Sequence, residues 1–204
     1  TAIRHNTNAL IVGNDTETAE NLFGIVKLFH EQMSPEFRPA FKYSTKRGMV
    51  FEDKDNPENS LHSSIAVAWA SKSSVGVSRT LSILHLSEVA FYKYPEIAIS
   101  NVLGSIQLEP DTSIIMESTA NYAGSYFKKM CLRAQKGEPP WRFLFIPWTM
   151  APEYRIPLSS GEHLYLTKEE DYLVKEFGLT LEQVKWRRFK ISEMKGDEML
   201  FREK

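Results

Sequence analysis

Residues 81–88 read Leu-Ser-Ile-Leu-His-Leu-Ser-Glu, and residues 113–121 read Ser-Ile-Ile-Met-Glu-Ser-Thr-Ala-Asn. Each is an apolar run too short for a typical helix, and each ends in a polar cluster. Runs that are apolar at consecutive positions, rather than alternate ones, suit strands buried on both faces. Such strands pair in parallel sheets, and open α/β sheets hold their ligands beyond the strands' C-terminal ends. The two polar clusters therefore stand where this kind of fold places chemistry.

The rest of the chain supplies the matching elements. Ala9-Leu10-Ile11-Val12, closed by Gly13, reads as a first buried strand. Asn14, Asp15 and Thr16 offer helix caps, and Leu22, Phe23, Val26, Phe29 and His30 recur at helical spacing, so 16–33 is expected to be a helix. Met49-Val50-Phe51 and the 64–71 run read as a hairpin pair of strands around a polar turn. Helices are expected across about 95–107 and 124–136, the second stopped by Gly137. Phe143-Leu144-Phe145-Ile146 reads as a last strand, ended by Pro147. Beyond Pro157 the apolar runs cease. Thr167 and Thr180 each cap a helical pattern, with Gly178 between them. The expected division is 1–157 for an α/β domain and 158–204 for a helical appendage.

Bulk composition excludes several classes. Net charge is −1, so there is no global basic field for nucleic acid, and any such contact must be a local patch. The single cysteine, Cys131, cannot form an internal disulfide and sits in a helical pattern as a small apolar residue. No run of about 18 apolar residues occurs, so no membrane span is expected. No His or Cys pair has metal-ligand spacing, which argues against a zinc site.

Glu88 is the main candidate for chemistry. A carboxylate delivered by a buried strand can orient an attacking water, while the residue before it, Ser87, takes the magnesium side. Glu117, Ser118, Thr119 and Asn121 end what should be a neighbouring strand, where hydroxyl and amide groups can reach a phosphate or pass on its loss. Read without the rest, Glu88 equally suits a carboxylate capping the next helix, and 117–121 a turn. A glycosidase-type carboxylate pair has no aromatic sugar platform to accompany it. Arg79, just before the 81–86 strand, could contact phosphate. Lys185, Arg187 and Arg188 interleave with Trp186 and Phe189 as nucleic-acid contacts do, or form the solvated face of an amphipathic helix. No Gly-x-x-x-x-Gly-Lys-Ser/Thr loop occurs in the 204 residues.

Four stretches in consistent order, across about residues 9–190, resemble the large subunit of tailed-bacteriophage terminases. His85-Leu86-Ser87-Glu88-Val89-Ala90-Phe91-Tyr92 resembles the family's second ATPase motif, and Glu117-Ser118-Thr119-Ala120-Asn121 its coupling motif. Phe145-Ile146-Pro147-Trp148 with Pro152-Glu153-Tyr154-Arg155 resembles the stretch that follows. Leu179 to Gln183 with Trp186-Arg187-Arg188 resembles the segment leading to a nuclease domain. The resemblance implies a P-loop NTPase-like core of the ASCE type, incomplete at its N-terminus, with a helical C-terminal appendage. It implies Glu88 as catalytic carboxylate, Ser87 at the magnesium-side position in place of the usual Asp, and Ser118, Thr119 and Asn121 in coupling. The parent protein is then a DNA-packaging ATPase and nuclease acting in the bacterial host's cytoplasm. Its cofactors are ATP and Mg²⁺, and its partners are double-stranded DNA, the portal protein, the small terminase subunit and copies of itself in a ring. The chain is expected to be an internal piece that binds no nucleotide tightly. Two other readings stand beside this one: a non-catalytic module or prophage remnant docking on portal, small subunit or DNA, and a helicase-like domain.

Overall fold

The computed structural model describes residues 4–70, 80–107 and 109–194. They form an α/β structure of six strands and five helices. The strands are β1 (Asn8–Gly13), β2 (Tyr43–Ser44), β3 (Gly48–Phe51), β4 (Ser63–Trp69), β5 (Ile83–Ser87) and β6 (Ser113–Glu117). The helices are α1 (Thr16–Gln32), α2 (Pro95–Leu103), α3 (Tyr126–Gln135), α4 (Lys168–Phe177) and α5 (Leu181–Glu193). One sheet runs in the order β2-β3-β4-β1-β5-β6. Its β4-β1-β5-β6 portion is parallel, and β3 and β2 add antiparallel at one edge.

The apolar runs behave as their composition demands. Leu10, Val12, Leu84 and Leu86 point to one face and join Val89, Tyr92, Ala98, Ile99 and Val102 from the α2 side. Burying each such aliphatic chain is worth about 1.5–3 kcal/mol. On the other face, Ala19 and Phe23 of α1 pack on Met49, Phe51 and Val67. α1 starts at Asp15, whose side chain accepts from the Thr18 amide at 2.8 Å. Gly13 lets that helix begin at once, since a Cβ there would lie 2.8 Å from the Ala19 nitrogen. At the far end His30 is buried and its Nε2 hydrogen-bonds the Pro39 carbonyl oxygen at 2.9 Å.

Two expectations differ from the structure, and one strand is unforeseen. Residues 143–146 form no strand: Leu144, Phe145 and Ile146 are 80%, 71% and 69% exposed, and the run has no ladder partner among the described residues. Apolar composition alone cannot make a strand without a neighbour to pair with. The helix expected to 107 ends at Leu103, where Gly104 follows. β2 adds a strand that carries no sequence signature, because two residues are too few for a pattern.

The chain divides into two compact units, Thr1–Met130 and Cys131–Lys204, a division that falls within α3 and well before Pro157. Inside the second unit the rings of Trp148 and Tyr154 stack on Trp186 of α5, with centroids 5.1 Å and 4.6 Å away. Gln183 Nε2 donates to the Thr149 carbonyl at 2.7 Å. The 148–157 segment thus packs with the helices that follow it. Capping boxes begin α4 at Thr167 and α5 at Thr180, and Gly178, at φ 66°, makes the left-handed turn between them. No helix among the described residues is long and apolar enough to cross a membrane.

β6 is the outer strand on its side of the sheet, yet Ile114, Ile115 and Met116 make it as apolar as an interior strand, and Ile115 is 53% exposed. A strand edge with so few charges templates pairing with another chain. The purified chain is therefore expected to scatter more light per unit mass as concentration rises, and Ile115→Lys to suppress that rise. A strictly monomeric parent chain at all concentrations would contradict this.

Candidate active site

The register of β5 on β6 builds the site. Leu86 lies opposite Met116 and Ser87 opposite Glu117, so both strands run out at the same level. The next residues, Glu88 and Ser118, then face each other across the sheet end. Ser118 Oγ donates to Glu88 Oε2 at 3.1 Å. The amide and hydroxyl of Thr119 both reach the same oxygen at 3.4 Å. Ser118 Oγ also accepts from the Ala90 amide at 3.1 Å, and Asn121 Nδ2 donates to the Ala90 carbonyl at 3.0 Å. Glu88, Ser118, Thr119 and Asn121, singled out for hydrolysis and coupling, are therefore one hydrogen-bonded constellation.

Glu88 has an uncommon backbone. Its φ and ψ of 57° and 43° are left-handed, and a short 3-10 turn, Val89–Phe91, follows at once. That conformation costs a non-glycine residue on the order of 1–2 kcal/mol. It is held by what surrounds it: Val89 and Ala90 are buried, and buried Tyr92 donates its hydroxyl to the Val12 carbonyl at 2.8 Å. Burial, together with the charge of Glu117, pushes the Tyr92 phenol well above its ordinary value, so it stays a protonated donor. Tyr92 thus ties the turn after Glu88 to the end of β1.

A second pair lies beneath. His85 Nε2 is 3.1 Å from Glu117 Oε1. Burial raises the Glu117 carboxyl, but hydrogen bonds from His85 and Ser87 outweigh it and hold the group below the ordinary glutamate range. Ser87 is only 3% exposed and its hydroxyl serves Glu117. Ser87, expected at the magnesium-side position, is thus a buried residue at the end of β5. No group of three or more acidic, His or Cys side chains could hold a metal among the described residues.

The sequence does not show the roles of Tyr92 and of the His85–Glu117 pair, and it offers Asn14 only as a helix cap. Extending the β1–β5 register from Val12 opposite Leu86 puts Asn14 level with Glu88. Its Oδ1 is buried without a partner. Only a long-range register reveals such neighbours. Arg79 lies outside the described residues.

In the second unit, the cations expected to meet DNA are engaged internally. Lys185 Nζ lies 2.7 Å from Glu162, Arg187 3.1 Å from Glu169, and Arg188 Nε 2.7 Å from Glu170. The Arg187 side chain is only 7% exposed, and Trp186 is stacked on Trp148 and Tyr154. Carboxylates from α4 and the preceding loop neutralise this face, which a helix read alone cannot show. Cys131 is half-buried, and burial raises its thiol further from the reactive thiolate.

No protein-family model matches the chain, and no curated protein matches it in sequence.

Two expectations follow from these bonds. Ser118→Ala removes the acceptor for the Ala90 amide and the donor to Glu88, so the Ala90 amide should exchange with solvent about 5- to 30-fold faster, the loss of roughly 1–2 kcal/mol of local stability. Hydrogen exchange followed by NMR reads this, and unchanged protection would refute it. Hydrogen bonds from Arg188 hold the Glu170 carboxyl at about 2, against an ordinary 4.5. A lowered acid stabilises fully above its unfolded value and loses that contribution as pH falls from about 4.5 towards 2. Because Arg188 is partly in solvent, the pair should contribute about 2 kcal/mol at neutral pH. Denaturant unfolding followed by tryptophan fluorescence should show Glu170→Gln less stable by that amount at pH 7, with the gap closing across this window.

Proposed function

We propose that this chain carries the hydrolysis and coupling half of a nucleotide-driven DNA-packaging motor, similar to the ATPase domain of tailed-phage terminase large subunits. The observation that carries the reading is the contact between the two strand ends. A carboxylate delivered by one parallel strand accepts hydrogen bonds from the hydroxyl cluster delivered by the next. In a hydrolase of this class the carboxylate orients the attacking water. The hydroxyl cluster senses the state of that carboxylate and, through Ala90 and Asn121, is fastened to the turn that follows it.

A P-loop NTPase-like core of the ASCE type suits the mostly parallel sheet with helices on both faces. The stacking of Trp148 and Tyr154 on Trp186 supports the resemblance further, because residues from two separate stretches that carry it meet in space. ATP, brought with Mg²⁺, supplies the phosphoanhydride to be cleaved. Glu88 would orient water through a carboxylate oxygen other than the one Ser118 and Thr119 hold. Ser118 fixes the carboxylate's orientation by donating to it, and Tyr92 fixes the turn beneath. Double-stranded DNA, a portal, a small subunit and a ring of copies belong to this reading as partners of the whole protein.

The phosphate-cradling loop is not among these 204 residues. That favours, as a second reading, a binding module without turnover. The same measurement separates the two. Magnesium-dependent ATP hydrolysis by the chain on its own should be at background. A longer protein in which these residues follow a Gly-Lys-Ser/Thr loop should hydrolyse ATP, and Glu88→Gln should lower kcat about 100-fold or more. Turnover unaffected by Glu88→Gln would defeat the motor reading. An inactive longer protein would leave the binding module.

A further inference from the structure

The cations on α5 are paired with carboxylates, but another set is not. Residues 37–51 carry Arg38, Lys42, Lys46 and Arg47 and no acidic residue, in a chain whose net charge is −1. Every residue from Ala40 to Arg47 is exposed. Lys46 has no ion-pair partner among the described residues, and it occupies the turn between β2 and β3. That turn is fixed: the Thr45 amide donates to the Gly48 carbonyl at 2.9 Å, and the Arg47 amide to Thr45 Oγ1 at 3.1 Å. The Arg47 guanidinium rests 4.8 Å from the centroid of the Trp69 ring, which holds it without neutralising it. Arg38 spends its donors on the Glu31 and Met33 carbonyls at the end of α1, so its charge is also uncancelled by a carboxylate. Among the described residues, Lys42 alone of these four cations has a carboxylate partner, Glu52 at 2.8 Å.

Aromatic rings stand among these cations. Phe37, Phe41 and Tyr43 are 65%, 48% and 46% exposed. Phe41 packs edge-on to buried His30, with centroids 5.4 Å apart, which anchors it at the base of the hairpin. Charges on a hydrogen-bonded turn, beside rings that remain open to solvent and of which Phe41 is anchored, suit a phosphate backbone with sugars and bases beside it. A flexible lysine-rich tail, or a helix with an apolar stripe and a basic stripe, would suit a lipid surface better.

We infer that the β2–β3 hairpin and the loop before it, residues 37–47, form a nucleic-acid contact in which Arg38, Lys46 and Arg47 meet backbone phosphates. The choice of nucleic acid as the polyanion is strengthened by the motor reading, but the contact itself requires no nucleotide and no Glu88. The surface lies on the opposite edge of the sheet from β6, and so on the side away from the strand-end site's outermost strand.

The test is fluorescence anisotropy of a labelled duplex of about 20 base pairs with the whole 204-residue chain, across about 50 to 200 mM salt. Three phosphate contacts should give a log–log salt slope near −2.7, a loss of affinity of roughly 40-fold over that range. Lys46→Ala alone, which removes no intramolecular partner, should make the slope shallower by about one. The double substitution Lys46→Ala with Arg47→Ala should remove about two, and weaken binding at the low-salt end by roughly tenfold. Circular dichroism melting checks that the double variant is folded, and the single Lys46 variant decides the matter if it is not. Lys185→Ala should leave the slope unchanged. Parent-like binding by the Lys46 variant overturns the inference, as does a larger loss on Lys185→Ala. So does binding to phosphatidylserine vesicles in the absence of duplex binding, or no duplex binding at the lowest salt. The assay contains no nucleotide, so its result is independent of whether the longer protein hydrolyses ATP.

Discussion

Everything at the candidate site depends on the register between β5 and β6. Parallel pairing offers no hairpin to fix alignment, so the interior apolar set must do it. Leu84 and Leu86 go to the buried face, and their neighbours on β1 and β6 follow. A slip of one residue would turn those leucines outward and take Glu88 away from Ser118 at the same time. Core packing and site geometry are therefore the same constraint. This is how a site made of hydroxyls and one carboxylate is held to hydrogen-bond distance.

The site also shows how a polar group can be placed without being buried. Glu117 sits a register step below Glu88 and takes up His85 and Ser87. That leaves Glu88, one residue on, to be addressed from above by Ser118 and Thr119. Two carboxylates adjacent in register thus have different partners and do not compete for one set of donors. In the second unit the same economy applies to charge of the opposite sign, where three cations of one helix each find a separate glutamate.

Much of this is legible in the chain because it rests on local patterns. Consecutive apolar positions mark β1, β5 and β6 as strands of a parallel sheet. Asp15, Thr167 and Thr180 mark helix starts, and Gly137 and Gly178 mark ends. The neighbourhood of Glu88 with Ser118, Thr119 and Asn121 is also legible, from two strand ends a short distance apart. What is not legible rests on partners remote in sequence. Residues 143–146 have the composition of a strand and lack a neighbour. Lys185 to Lys190 has the composition of a basic face, but Glu162, Glu169 and Glu170 lie one element away. Tyr92 looks like a core aromatic until its hydroxyl is seen on Val12. Hairpin residues 37–47 offer only a short strand and ordinary surface side chains, and their uncancelled charge emerges once the pairs elsewhere are assigned.

The left-handed backbone at Glu88 sets steric cost against the placing of a carboxylate at a single position. Glycine would occupy that conformation without the steric cost a side chain incurs, at the expense of the carboxylate. The three hydrogen bonds that Ser118 and Thr119 make to Glu88 Oε2 would be lost with it, so the contacts that position the carboxylate are also what offset the strain of the backbone that carries it.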